Sequence, residues 1–327
     1  MAKFIGRQYN VGIGRETVRG TPRVSAYWLP VTDVSIDEKI NQIKYDNTFG
    51  VIENMVDADR VKQFAEGTLS SVINDDSFGL ILNATLGTAI ATGPTDSAYT
   101  HTFTVAQTAT HQSLTINVSE PNASGASSKQ YPLAMVDSLD LNFEVGAYPT
   151  YEMAFVSNVT TSTTTTVAYT SPNNFKPNQG ELRIATTYGG VASGTAYTVR
   201  KVNLSVSKNL EDDDNIGSIS ATDRLNKQFA VSGSFELVYD NRQFIDTEML
   251  GNTTRAMQIR FVNTDRTIGA STNPSVTIRL ARVKFQEVAK NISKDDITMH
   301  TVNFEGFYST TDSRMIDVVL VNSVVSY

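Results

Sequence analysis

The chain has 327 residues and a mass of 35.7 kDa, enough for one large domain or two of ordinary size, each with its own core. Lys and Arg number 27 against 34 Asp and Glu, a net charge of −7 and a pI near 5.1, opposite to the basic excess of a protein that grips nucleic acid in an extended groove. The absence of cysteine excludes disulfide staples, thiolate metal sites and a cysteine nucleophile.

The opening MAKFIGRQYN lacks the apolar core of a signal peptide, so a soluble chain made in the cytosol is expected. A strand is predicted over Tyr27 to Lys39, then a long polar loop, about 40–58, and a second strand over Lys62 to Ile73. A short helix over 75–86 begins beside Asn74 and Asp75 and stops at Gly87. The apolar stretch Phe78 to Ile90 is too short and too polar to span a membrane. Tyr99 to Val105 reads as a hairpin strand in a Gly/Pro/Thr-rich region. From Ser138 to Val145, Leu139, Leu141, Phe143 and Val145 alternate with Ser138, Asp140, Asn142 and Glu144, the period of a half-buried strand. Residues 158–180, rich in Thr, then Pro and Asn, read as a linker. Alternation resumes at Val202–Val206 and Arg279–Gln286, with a second short helix over 241–250 ending at Gly251. The chain is therefore expected to be mainly β, with a minority of helix.

The two sides of the linker repeat one another. Asp59-Arg-Val-Lys-Gln-Phe-Ala65 corresponds to Asp223-Arg-Leu-Asn-Lys-Gln-Phe-Ala230, followed in both by a matching glycine (Gly67, Gly233), an apolar strand, Phe78 or Phe244, and Leu-Gly at 86–87 or 250–251. Upstream, Val31, Val34 and Ile36 match Val199, Val202 and Leu204; downstream, Leu141-Asn-Phe143 is aligned with Val283-Lys-Phe285. Shared texture would not reproduce that order, so a tandem duplication is expected. The division is 1–157 with an N-terminal arm, the linker 158–180, and 181–327 with a C-terminal arm.

A catalytic constellation is not found. His101, His111 and His300 lack a second ligand at zinc spacing and read as surface strand residues. Gly12 and Gly14 miss the dinucleotide-binding spacing, and no phosphate-cradling loop occurs. The acidic run Glu211 to Gly217 fails as a calcium loop, because Ile216 falls at a ligand position and the twelfth position holds no glutamate. No catalytic residue, metal or cofactor is assigned.

Gly14-Arg-Glu16-Thr-Val-Arg-Gly20-Thr21-Pro22 resembles the Glu-x-x-x-Gly-Thr start of tail tube proteins from long-tailed, non-contractile bacteriophages (siphophages). The following strand, polar loop, Lys62–Ile73 strand and short helix match as well. The resemblance covers 9–90 and, through the repeat, 199–305. It implies two tube-type β-sandwich or barrel domains, each with one short helix, in a structural subunit without enzymatic activity. Most members of that family carry one tube domain and form hexameric rings; two linked copies imply three chains in a pseudo-sixfold ring.

The partners implied are other copies of the chain in stacked rings, the tape measure protein, tail terminator and tail-tip proteins, and genomic DNA in transit only, with no membrane. The location implied is the virion tail, assembled in the host bacterial cytoplasm. Six four-stranded walls give about 24 strands; at ~4.8 Å spacing and ~40° tilt the barrel is ~48 Å across, leaving ~38 Å inside the side chains.

Two sets of residues are candidates for assembly. Asp33, Ser35 and Asp37 have counterparts in Lys201, Asn203 and Ser205, and Asp140, Asn142 and Glu144 are matched with Arg282, Lys284 and Gln286. The sets carry opposite charge, and either pair across neighbouring domains or line the lumen and balance it. Lys44, Asp46 and Glu53 in the first loop, and Glu211, Asp212, Asp213 and Asp214 in the loop at 207–222, are ring-stacking candidates by resemblance. The termini, 1–26 and Ile316–Asn322, are expected to add as arms to a neighbour's sheet. The competing readings are a β-sandwich binding module, such as an adhesin or carbohydrate-binding protein, and more distantly a paired-carboxylate hydrolase.

Overall fold

The computed structural model describes residues 3–53, 55, 57–122, 125–159, 161–163, 165–292 and 294–327. Strands pair antiparallel throughout, as alternating runs joined by tight turns predict. The first half holds β1 (Asn10–Arg15), β2 (Tyr27–Leu29), β3 (Val31–Tyr45), β4 (Asp57–Val72), helix α1 (Phe78–Leu86), β5 (Gly87–Thr95), β6 (Ala98–Val105), β7 (Leu114–Asn122), β8 (Gly125–Glu144) and β9 (Thr150–Ser157). After the short β10 (Thr161–Thr163), the second half holds β11 (Gly180–Ala185), β12 (Thr195–Tyr197), β13 (Val199–Ser207), β14 (Leu210–Asp213), β15 (Asp223–Asn226) and β16 (Ala230–Val238). A short π-wound helix (Phe244–Met249) follows, then β17 (Arg255–Val262), β18 (Ser275–Asn291), β19 (Met299–Gly306) and β20 (Ile316–Asn322).

The halves follow the same path. In the first, neighbours run β2-β1-β7-β8-β9-β4-β3; in the second they run β12-β11-β17-β18-β19-β16-β13. In each, one long strand (β8 or β18) pairs first within the outer sheet and then within a four-stranded wall. The side chains between the two layers form the core. That core is continuous through both halves, and the Phe143 and Phe261 rings stack across it with centroids 4.9 Å apart.

Glycine aligns the two halves. A Cβ on Gly67 would stand 2.0 Å from the Ser35 carbonyl oxygen and 2.9 Å from the Phe155 ring; one on Gly233 would stand 2.3 Å from that of Asn203 and 2.6 Å from the Phe304 ring. Gly67 thus matches Gly233, Ser35 matches Asn203, and Phe155 matches Phe304. Because Phe155 faces Val136 while Phe304 faces Phe285, the counterpart of Phe285 is Val136 and not Phe143. A bulge follows directly in both strands, at Val136/Ser138 and Phe285/Glu287. The match of Leu141-Asn-Phe143 to Val283-Lys-Phe285 is therefore corrected by seven positions. Asp140 and Asn142 correspond to Ala289 and Asn291, while Arg282, Lys284 and Gln286 correspond to Leu133, Met135 and Asp137.

The Glu16–Gly20 segment has a structural cause. The Glu16 carboxylate is buried and accepts from the backbone N–H groups of Gly20 (2.7 Å) and Leu133 (2.8 Å) and from the hydroxyls of Ser113 (2.7 Å) and Thr115 (2.9 Å). It ties the turn after β1 to β7 and β8. The α1 helix is buried on all sides, with the Asn74 carboxamide oxygen accepting from the N–H groups of Asp76 and Ser77 ahead of it and Gly87 ending it at φ 88°.

The expected terminal arms are not free. β1 lies between β2 and β7, and β20 lies between β6 and β18, so both edges of each are occupied. The Tyr327 ring then packs over Gly79, and its hydroxyl donates to the Asp76 carbonyl. The expected linker is pinned to the first half: Asn173 bonds Asp75, Thr170 donates to Asp76, and Phe175 is buried.

Candidate assembly surfaces

The two walls join into one eight-stranded sheet in the order β3-β4-β9-β8-β13-β16-β19-β18. The junction is β8 against β13, where Ser138, Asp140, Asn142 and Glu144 stand opposite Ser207, Ser205, Asn203 and Lys201. Lys201 Nζ lies 3.4 Å from the Glu144 carboxylate, an ion pair half open to solvent and worth little by itself. What holds the junction is the ladder and the buried Leu139, Leu141, Phe143, Val202, Leu204 and Val206 beneath it. Of the polar sets, Asp140, Asn142 and Glu144 stand opposite β13 within the chain. Their partners are the β13 residues; Arg282 lies on β18, four strands away, and is exposed.

One face of this sheet is polar from end to end. A single cross-strand row runs Asp33, Ser70, Glu152, Asp140, Ser205, Ser232, Glu305, Lys284. Four carboxylates and one ammonium occupy it, so the face leans acidic and is not charge-balanced. Gln286 donates to Glu305, and Lys284 Nζ bonds Asn252 (2.8 Å). The opposite face carries the apolar partners and is covered by the outer sheets.

The sheet ends on two unpaired edges. Among the described residues β3 pairs with β4 alone, so the other edge of Asp33, Ser35 and Asp37 is open, and residues 287–291 of β18 pair with β19 alone. These edges are the counterparts of β13 and of the wall segment of β8, the two strands that meet inside the chain.

The polar loops differ from each other. Residues 40–45 and 57–62 carry β3 and β4 on as a hairpin. Its exposed side chains include Lys44, Asp46 and Glu53, but also Ile40, Ile43, Tyr45, Phe49, Val51 and Ile52, an uncovered apolar surface. The corresponding segment of the second half is the β14–β15 hairpin, folded against the first half. Arg224, fully buried, lies 2.9 Å from the Asp212 carboxylate and donates to the carbonyls of Leu133 (3.2 Å) and Ser157 (3.1 Å). Lys62 Nζ reaches Asp212 (2.8 Å) and Asp214 (2.5 Å); burial works against that ammonium, but the two carboxylates outweigh it and raise its pKa. Arg19 pairs with Asp223, and Lys227 with Glu211. Glu211, Asp212 and Asp214 are thus engaged within the chain, with Asp213 on the same hairpin.

The three histidines are buried, not on the surface as expected. His101 Nε2 lies 2.8 Å from the Val324 carbonyl, His111 Nε2 lies 3.0 Å from that of Ala106, and His300 packs edge-on to Tyr239. Burial lowers the pKa of all three. Among the described residues no group of three His, Cys, Asp or Glu is placed to hold a metal ion, and no helix is long and apolar enough to cross a membrane.

Lys39, Glu287, Ala289 and Asn291 also lie on the two open edges and carry no signal of their own in the alternation. The signal that locates them is Gly67 with Phe155 against Gly233 with Phe304, a pairing more restrictive than alternation.

No curated protein matches the sequence. Fifteen chains of solved structures match. One, described as the crystal structure of Hcp protein, is 11% identical, covers 38% of this chain and 86% of its own, and has a TM-score of 0.22, too slight a likeness to argue from. The family described as phage tail tube protein matches residues 6–306, nearly the whole of a chain built around a polar-faced wall with open edges. The chain belongs to the phage tail tube protein family.

Proposed function

We propose that the chain is the repeating subunit of a siphophage tail tube, made of two tandem copies of one tube domain with an approximate boundary at 158–180. The observation that carries this reading is the eight-stranded sheet: one face buried, one polar, and an open edge at each end equivalent to strands that already pair inside the chain. Such a sheet exposes unpaired backbone groups until it closes on further copies. Three chains supply about 24 strands, a barrel wide enough for duplex DNA at ordinary strand spacing and tilt.

The polar face then lines the lumen. Its acidic lean favours passage of DNA without capture, because like charges disfavour phosphate contact. The tape measure protein fills the lumen before ejection, and terminator and tip proteins cap the two ends of the stack. The apolar hairpin 40–62 reaches the adjacent ring and covers its Ile, Phe and Val side chains there. The subunit is a virion component, assembled in the host cytoplasm, and acts without catalysis.

The test is negative-stain electron microscopy of the concentrated protein. Rings or tubes with threefold order and six lobes in end-on views are expected. Sixfold order of whole chains overturns the tandem account, and a protein that stays monomeric at every concentration, with or without preformed tail tips, overturns the tube reading.

A further inference from the structure

Within that tube reading, we infer that the 287–291 edge of β18 pairs antiparallel with the 35–39 edge of β3 from a second copy of the chain. Glu287 then stands opposite Lys39, Ala289 opposite Asp37, and Asn291 opposite Ser35. The internal β8–β13 junction is the template. Its strands have one counterpart each, fixed by the Gly67/Gly233 contacts and the matching bulges: Ser138 corresponds to Glu287, and Leu204 to Ile36.

Carrying the observed pairs across gives the register without adjustment. Ser138 opposite Ser207 becomes Glu287 opposite Lys39, Asp140 opposite Ser205 becomes Ala289 opposite Asp37, and Asn142 opposite Asn203 becomes Asn291 opposite Ser35. A slip of one residue would turn the polar face of one wall onto the buried face of the next, so the pleat forbids it.

Charge supports the same register. The internal junction has two serines where the outer one has Glu287 and Lys39, a direct cross-strand pair of opposite sign. On the other face Lys290 falls diagonal to Glu38, again of opposite sign. Both edges are exposed and paired on one side only. Within the chain Lys39 contacts Glu66, and Glu287 accepts from Asn303 at 3.1 Å, so each side chain already lies along the polar face on which it would meet its partner. The internal and outer junctions therefore differ in chemistry while sharing geometry. That directs the free β18 edge to β3 of another copy.

The chain has no cysteine, which makes disulfide trapping clean. Opposite Cα atoms in antiparallel strands are about 4.5–5.5 Å apart, within disulfide range. The full-length Asp37→Cys/Ala289→Cys variant, oxidised after assembly, is expected to give covalent multimers on a non-reducing gel. Ser35→Cys/Glu287→Cys, four residues out of register, is expected to stay monomeric. Asp140→Cys/Ser205→Cys marks the internal junction and is expected to form an intrachain bond, confirming that the position accepts one.

Tubes that form without cross-linking at 37 and 289 overturn this register and leave the tube reading intact. Wild-type protein that never assembles overturns both. Should the cysteine variants not fold, charge exchange decides. Lys39→Glu or Glu287→Lys alone is expected to cut tube yield several-fold and the double exchange to restore it; a double variant no better than the worse single overturns the pairing.

Discussion

Glu16 gives the sharpest check on how the first half is held. Its carboxylate accepts four hydrogen bonds: one oxygen takes the Thr115 hydroxyl and the Leu133 N–H, the other the Ser113 hydroxyl and the Gly20 N–H. In Glu16→Gln the amide oxygen replaces one carboxylate oxygen and an NH2 group the other. The hydroxyl on the NH2 side rotates to accept, but a backbone N–H there has no lone pair to meet and is left buried without a partner. Such an orphan costs about 1–3 kcal/mol. Glu16→Ala orphans both N–H groups and leaves a void, so about 3–6 kcal/mol is expected. Urea unfolding of unassembled protein, followed by tryptophan fluorescence from the single, buried Trp28, which pairs with Gly12 on β1, reads the effect locally. The ordering wild type, Gln, Ala must hold. A Gln variant as stable as wild type would refute the claim that the charged carboxylate is the organising acceptor.

Three other outcomes follow from the geometry. Gly67→Ala and Gly233→Ala place a Cβ against a backbone oxygen, and each is expected to destabilise by about 2–4 kcal/mol in denaturant titration; a cost near zero for either refutes the shared close approach. Burial pushes the Lys208 ammonium, which donates to the Ala84 carbonyl at 2.8 Å, down to about 7. The unfolded chain then holds one more proton than the folded chain between about pH 7 and its ordinary value, so stability rises with pH across that window by a few kcal/mol and is flat below it. Lys208→Met should remove that rise, read as the difference in urea midpoints at pH 7 and pH 10; equal slopes for both proteins refute it. Deleting residues 42–54, the outer part of the apolar hairpin, is expected to leave thermal unfolding nearly unchanged while abolishing tubes, and tubes of normal length from that variant refute the stacking role.

Much of the fold was legible because strands with one wet face must alternate. The β3 and β4 strands, the wall segment of β8, β13 and both short helices lie where alternation and capping residues put them, with β3 and β4 running further into the loop. The parallel order of the two halves was legible for a different reason. Gly67 and Gly233 meet backbone oxygens, so neither position tolerates drift.

What alternation hides is register across a bulge. Val136 and Leu139, or Phe285 and Val288, face the same side although they are three positions apart, so a period-two match slides past the correct alignment. Charge misled at Asp212, assigned to an assembly loop because its partners Lys62 and Arg224 are not adjacent to it in sequence. Asp212 belongs to a hairpin that looked like a free acidic loop until Lys62 and Arg224 were placed beside it. The Ile316–Asn322 strand was visible, but not that β6 and β18 would take both its edges.

That last strand also sets the order of events in folding. His101 and Asn322, bonded at 3.1 Å, are 221 positions apart, and β20 completes the outer sheet only by spanning that separation. Closing so long a loop costs little in equilibrium stability, since the penalty grows only with the logarithm of length, but it delays the step. Until β20 arrives, β6 presents an unpaired edge beside β5. Refolding should therefore pass through a slow phase in which concentrated chains aggregate through that edge, so that dilution raises the yield of native subunits.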